Sequence, residues 1–199
     1  MAHPRQPSRG RRPGPSDTRD RIVDAAVAQF AAHGYEGASL RAIAAGAGVD
    51  QKLIAHYFVS KHGLFTAAIK LPIDPAELLP RLLEGDRATI GERLARIVVG
   101  ILEEPATRER MVGVIRAVAS RPEIARTLRE FLESEVLEPA VSALGSDAPR
   151  RLALAASQFV GLALARHVVE VAPLKEASGE QLVHDLAPTF QRYLTGTLD

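Results

Sequence analysis

The chain contains no cysteine, so disulfides and thiolate chemistry are excluded. It has no apolar run near the ~20 residues that a membrane span needs, and no membrane partner is expected. The opening stretch, MAHPRQPSRGRRPGPSD, lacks the apolar segment of a secretory signal. Residence in the cytoplasm is therefore the expectation. No alternating apolar–polar run is long enough to make a strand, and no internal repeat is visible. GxSxG, P-loop and dinucleotide fingerprints are all missing. The histidines are His3, His33, His56, His62, His167 and His184. No two of them sit at i, i+4 with an acidic partner on the same face, so the usual helical metal spacing is lacking. Glu103-Glu104 and the group Glu133, Glu135, Glu138 read as solvated helix faces. These absences leave no catalytic residue, no metal site and no cofactor to expect, and the chain reads as a non-enzyme.

What is present is an apolar, helical and unevenly charged chain. Of 199 residues, 46% are hydrophobic, enough for one good core or for a small domain beside a larger one. The net charge of +1 conceals a division: residues 1–70 carry ten Lys/Arg and five Asp/Glu, residues 71–199 carry fifteen and nineteen. A basic head on an acidic body suits a nucleic-acid binder, because phosphate neutralisation supplies most of the sequence-independent affinity. Residues 1–15, rich in Pro, Gly and Arg and without periodicity, are expected to form a disordered basic tail. Its Arg5, Arg9, Arg11 and Arg12 either reach an adjacent minor groove or simply solvate the chain.

The stretch SLRAIAAGAGVDQKLIAHYF, residues 39–58, carries most of the functional information. Ser39 caps a short helix whose apolar face is Leu40, Ile43, Ala44 and Ala47. Gly48 falls where two helices meeting steeply need a residue tolerant of positive φ. Asp50 caps a second helix that turns Ile54, Tyr57 and Phe58 inward. Ala44 lies at the crossing, where a larger side chain would part the helices. Gln51, Lys52, Ala55 and His56 are left on the solvent face, free to enter a DNA major groove. Before this motif a helix carries Ile22, Val23, Ala26, Val27 and Phe30 on one face and stops at His33-Gly34-Tyr35. After it, Ser60-Lys61 opens another helix.

The run IVDAAVAQFAAHGYEGASLRAIA, the AGV at the turn, HYF at the end of the second motif helix and the SK and GLF that follow resemble the DNA-binding domain of the TetR family of bacterial transcriptional repressors. The resemblance covers roughly residues 17–70. It implies an all-α protein with a helix-turn-helix domain over 16–71 and a ligand-binding and dimerisation domain over 72–199. It also implies that Ser39 and Arg41 touch phosphate or a base, and that His56, Tyr57 and Lys61 grip phosphates. Gln51 and Lys52 stand in the first turn of the recognition helix, where Gln can address adenine and Lys guanine. Leu53 and Ala55 depart from the family pattern and are placed to meet thymine methyls. The expected partner is a double-stranded DNA operator, with the protein associated with the nucleoid. Operator sequence is not inherited.

The remainder reads as helices throughout. One spans Ile90–Glu104 and a second Thr107–Ala119. A third opens on a capping box at Ser120-Arg121-Pro122-Glu123 and bends near Pro139. A fourth is capped by Ser146–Pro149 and runs to about Val171, and the last covers Gly179–Leu194 with Pro188 inside it. The helix from Arg150 to Val171 is apolar around much of its circumference, which calls for burial on two sides. A second subunit is the simplest cover, with Leu154, Gly161, Leu162, Ala165, Val169, Leu186 and Phe190 at a homodimer interface. The resemblance implies the same dimer. It also implies an inducer pocket among the middle helices, with candidate walls Leu94, Val98, Met111, Ile115, Phe131 and Phe159 and candidate polar contacts Arg116, Gln158 and His167. The alternative reading is a helical small-molecule or lipid-binding protein with a vestigial helix-turn-helix, against which the basic head argues.

Overall fold

The structure, a computed structural model, describes residues 15–198; the basic tail expected over 1–15, with its four arginines, falls almost wholly outside them. The described residues form twelve α-helices, a 3-10 turn and a π turn, with no strand among them. No helix among them is long and apolar enough to cross a membrane.

Four helices make the head. α1 (Pro15–Gly37) breaks at Gly34, where φ is +73°. α2 (Leu40–Ala47) begins on Ser39, whose hydroxyl accepts the Ala42 N–H at 3.1 Å, and ends on Gly48 at φ +64°. Glycine adopts that left-handed geometry without the Cβ penalty, which lets the chain turn at once into the next helix. α3 (Gln51–Tyr57) is capped by Asp50, whose carboxylate accepts the Lys52 N–H at 2.8 Å. α4 (Lys61–Ala68) is capped by Ser60, which accepts the Gly63 N–H at 3.1 Å. Ile22, Ala26, Phe30, Ile43, Ala44, Ala47, Ile54, Phe58, Leu64 and Phe65 bury one shared core. Each of these positions follows the 3.6-residue period of its own helix.

The body contains α5 (Pro75–Leu83), a 3-10 turn (Arg87–Thr89), α6 (Ile90–Glu103), α7 (Pro105–Ser120), α8 (Pro122–Leu132), a π turn (Glu133–Leu137), α9 (Glu138–Leu144), α10 (Ala148–His167), α11 (Ala172–Glu176) and α12 (Gly179–Thr195). α6 and α12 form the most extensive helix pair in the molecule. Gly91 lets them touch: a Cβ there would lie 2.4 Å from the Ala187 carbonyl oxygen. Leu94, Val98 and Leu102 then mesh with Leu182, Val183, Phe190 and Leu194.

This pairing corrects the expected interface. Phe190 and Leu162 are buried within their own chain, at 0% and 7% exposure, so neither is free to face a second subunit. The outward face of α12 is instead Gln181, His184, Asp185, Pro188 and Arg192. α10 also ends earlier than its apolar pattern suggested, at His167. The chain winds off through Val168, Val169 and Glu170, the last at φ +58°, before α11 opens with Pro173 in its first turn. Val169 is consequently exposed rather than on the helix.

Three start signals also differ. Ser120 does not cap α8, since its hydroxyl donates back to the Arg116 carbonyl at 2.8 Å. Glu104, expected on a solvated face, caps α7 by accepting the Ala106 and Thr107 N–H groups. α10 has no side-chain cap bond. Near Pro139, where a bend was expected, the helix widens one turn earlier into the π turn, in which the Glu138 N–H reaches the Glu133 carbonyl. Pro139 has no N–H to continue the ladder, and the widened turn absorbs the mismatch.

Candidate nucleic-acid interface

α3 presents Gln51, Lys52, Leu53, Ala55 and His56 to solvent while Ile54 is fully buried. A seven-residue helix that buries one side chain and exposes its first three holds its outer face rigidly by its caps and its neighbours. α2 adds an exposed Arg41, and Ser39 is exposed as well as capping. Tyr57 is half-buried at the rim, its ring edge-on to His56 at 5.2 Å. Val59, in the turn after α3, is 97% exposed. That valine was not singled out from the sequence, where a lone apolar residue in a turn carries no period.

Two basic side chains act inside the head. The Arg21 guanidinium donates to the Ala47 carbonyl and, at 3.4 Å, to the Gly48 carbonyl. It thereby puts a cation on the carbonyl end of α2, where the helix dipole favours one, and clasps the turn of the motif. Lys61, expected to grip phosphate, is drawn inward. Its ammonium donates to the Glu36 carbonyl at 3.2 Å and lies 4.8 Å from the Tyr35 ring centroid. Those contacts tie α4 to the end of α1.

The head is joined to the body by aromatic and ionic contacts. Phe131 of α8 was expected on a pocket wall with Leu94 and Val98; instead it is fully buried in the head core. Its ring centroid lies 4.8 Å from that of Phe65 and 5.2 Å from that of Tyr35. α8 packs along α1, which carries Phe131 across. Beside it, the Glu130 carboxylate accepts the Tyr35 N–H at 2.7 Å. Glu135, expected on a solvated face, accepts the Tyr35 hydroxyl at 2.8 Å. Burial, with Glu135 as acceptor, pushes the Tyr35 phenol well above its ordinary range. His62 of α4 lies between two carboxylates: Nε2 is 3.6 Å from Asp74 and Nδ1 is 3.6 Å from Glu135. Burial raises the Asp74 carboxyl above the usual carboxylate value, opposed by the Ala76 N–H and His62. His62, Asp74 and Glu77 bring one potential metal-ligand atom each within 4.8 Å of one another, a grouping across α4 and α5 that helical spacing rules cannot detect.

Two cavities flank α7. A crevice of about 260 Å³ between head and body is lined by Val27, Phe30, Phe65, Val114, Ala117 and Thr127, among others. A wider cleft of about 680 Å³ lies between α7 and α10. Of the nine residues expected around an inducer, Arg116 and His167 line this cleft. Leu94 and Val98 are buried in the α6–α12 core, with Ile115 and Phe159 packed against it. Met111 is buried on α7 and Gln158 half-buried on α10.

The remaining interface candidates sit on α10 or beside it. Leu154 and Ala165 are half-buried, Gly161 is exposed, and Leu186 on α12 is half-buried. Ala153, Ala156, Val160 and Gly161 make an exposed apolar strip on α10.

Comparison with known proteins finds matches over both regions of the chain. The family described as bacterial regulatory proteins, tetR family, matches residues 22–68. The family described as tetracyclin repressor-like, C-terminal domain, matches residues 88–194, more than half of the chain. An HTH-type transcriptional repressor of Streptomyces coelicolor is 35% identical over 53% of this chain and 64% of its own length. The HTH-type transcriptional repressor AcnR of Corynebacterium glutamicum is 30% identical over 58% of this chain and 53% of its own length. These alignments thus span less than two thirds of either relative. A solved TetR-family regulator from Streptomyces coelicolor is 34% identical, covering 94% of this chain and 99% of that one, with a TM-score of 0.42.

Proposed function

The chain belongs to the TetR family of bacterial transcriptional regulators, and on that premise we propose that it is a dimeric repressor of a pseudo-palindromic DNA operator, released by a small-molecule inducer. The observation that carries the reading is the outer face of α3, with Gln51, Lys52, Leu53 and His56 exposed on a helix capped at Asp50. Gln51 and Lys52 read base edges from the first turn. Leu53 contacts thymine methyls. Ser39, Arg41, His56 and Tyr57 hold the backbone on either side. Lys61 helps by fixing α4 against α1, with phosphate contact as its secondary role. The protein acts in the cytoplasm, on the nucleoid.

A single recognition helix reads few base pairs, so operator selectivity needs two helices about 34–36 Å apart. The second subunit covers the α10 strip of Ala153, Ala156, Val160 and Gly161, with Leu154, Ala165 and Leu186 at its edges. A Cβ added at Gly161 meets nothing within 4 Å, so Gly161→Arg leaves the protomer intact and blocks the partner.

Selection of bound sequences from a random DNA pool at fixed salt tests the reading. The wild type should enrich a two-fold symmetric site. Gln51→Ala and Lys52→Ala should each lose about 1–3 kcal/mol of discrimination at one base position per half-site while retaining salt-dependent non-specific binding. Gly161→Arg should sediment as a monomer and lose the paired half-sites. Identical preferences in wild type and both α3 variants would remove α3 as the reading element.

A further inference from the structure

The cleft between α7 and α10 is lined by Arg108 and Arg116 from α7, Arg166 and His167 from the end of α10, and Lys175 from α11. Glu109 and Glu170 are its acidic members, and Glu103 reaches Arg166 from α6 at 2.8 Å. Some of this charge is already matched, since Lys175 pairs with Glu170. Arg108 reaches only the Leu102 carbonyl, at 3.4 Å, and Arg116 is exposed with no ion-pair partner among the described residues.

The decisive feature is deeper. The Arg166 side chain is only 9% exposed, and its Nη1 has no hydrogen-bond partner among the described residues. The neighbouring His167 Nε2 is buried and equally without a partner. Buried polar groups are nearly always satisfied, and Arg166 Nη1 can only donate, so it calls for an absent acceptor, with the His167 Nε2 open beside it. A buried guanidinium is a strong donor to the paired oxygens of a carboxylate or phosphate.

We infer that this cleft binds the oxyanion end, carboxylate or phosphate, of the effector, with Arg108 and Arg116 at its mouth and Arg166 and His167 beneath. The inference rests on the regulator reading above and supplies the chemical class that reading leaves open. A volume of about 680 Å³ suits a small organic molecule better than a bare ion. Val112 and Gly113, on the same wall, offer the ligand's carbon skeleton an uncharged surface.

Burial holds the His167 imidazole below its ordinary pKa, with Arg108 and Arg166 adding to the effect against Glu103 and Glu170. An anion in the cleft screens the two arginines, so binding takes up a proton at His167 and weakens as pH rises. α7 supplies a route to the head. Its far half, with Val114 and Ala117, and Arg121 just beyond its end line the crevice against Phe30 of α1 and Phe65 of α4. An anion drawn between α7 and α10 therefore acts on a helix wedged against the head.

The test uses the 199-residue protein, titrated with succinate and with inorganic phosphate at constant ionic strength, chloride serving as control. Calorimetry should show saturable binding of at least one anion, weakened ten-fold or more in Arg116→Ala and in Arg108→Ala. Circular dichroism checks that both rim variants are folded. Succinate binding should weaken as pH rises through the range in which His167 titrates, and His167→Gln should flatten that slope. Succinate alone assigns a carboxylate ligand, and phosphate alone a phosphoryl ligand. The inference is overturned if neither anion exceeds the chloride effect, or if both rim variants bind as the wild type does. Operator selection without anion is scored separately. A chain that selects an operator but binds no anion loses only this inference, whereas one that selects no operator loses the regulator reading. Anion binding that leaves operator occupancy unchanged overturns the effector assignment.

Discussion

The head and the body bury their apolar surface in different ways. The head core gathers Phe30, Tyr35, Phe58, Phe65 and Phe131, whereas the α6–α12 core is built of Leu, Val, Ile and Ala with Phe190 as its one fully buried aromatic. The reason lies in helix length. α2, α3 and α4 are seven or eight residues long, too short to be stable alone, and each offers few inward positions. Large rings supply the area that such helices lack. The body has helices of 14 to 20 residues and can rely on many small contacts at close approach. One consequence is that the head does not close its own core. Phe131 arrives from α8, so a domain that ends by sequence near residue 71 is completed by a residue 60 positions later.

The sharpest way to break this comparison is Phe131→Ala. Removing a fully buried ring costs about 3–5 kcal/mol, a large share of the roughly 5–15 kcal/mol that stabilises a domain. Hydrogen exchange should show α1 and α4 losing protection while α6 and α12 keep theirs, and DNA binding should fall with the head. Equal loss across all four helices would mean that the two cores unfold as one unit.

Gly91→Val attacks the other side. The added carbon meets the Ala187 carbonyl oxygen, so α6 and α12 must separate, at a cost of about 1–3 kcal/mol for an overpacked contact. Thermal melting should move down, with protection lost first in α6 and α12. A melt unchanged from the wild type would show that this crossing is not tight.

The smallest effect concerns the joint between the two regions. Asp74 has its folded-state carboxyl raised by burial, so the native chain holds that proton more tightly than the unfolded chain does. Its ionisation therefore costs stability as pH rises above the ordinary carboxylate value of 3.8. Asn retains the cap on the Ala76 N–H and carries no charge. Asp74→Asn should thus flatten the fall in melting temperature between about pH 4 and pH 6. A steeper fall in the variant would show that the pairing with His62 outweighs the burial.

The legible parts of the fold share one property. Ser39, Asp50 and Ser60 cap helices through a backbone N–H two or three residues away, and Gly48 turns the chain at its own φ. Such contacts are complete within a few residues, so the pattern of residue types contains them. The outward face of α3 follows directly, because a helix with Ile54 inward must turn Gln51, Lys52 and His56 elsewhere. The misread residues had distant partners. Leu162 and Phe190 have the period of an interface stripe, and nothing local says whether α6 or a second chain covers them. Glu135 looks like a solvated acid until the end of α1 brings the Tyr35 hydroxyl to it; Glu104 is the exception, a short-range cap on the Ala106 and Thr107 N–H groups that glutamate, an uncommon capping residue, did not signal.

From its sequence alone this chain determined its all-helical class, the caps and turn of its helix-turn-helix, and the side chains that α3 turns outward, since each depends on short-range geometry. Tertiary structure alone decided that α12 pairs with α6, that Phe131 completes the head, and that Arg166 Nη1 and His167 Nε2 lie without hydrogen-bond partners beneath Arg108 and Arg116. Those outcomes depend on which apolar faces meet. A helical period shows that a face must be covered, and only the packing of the whole chain chooses what covers it.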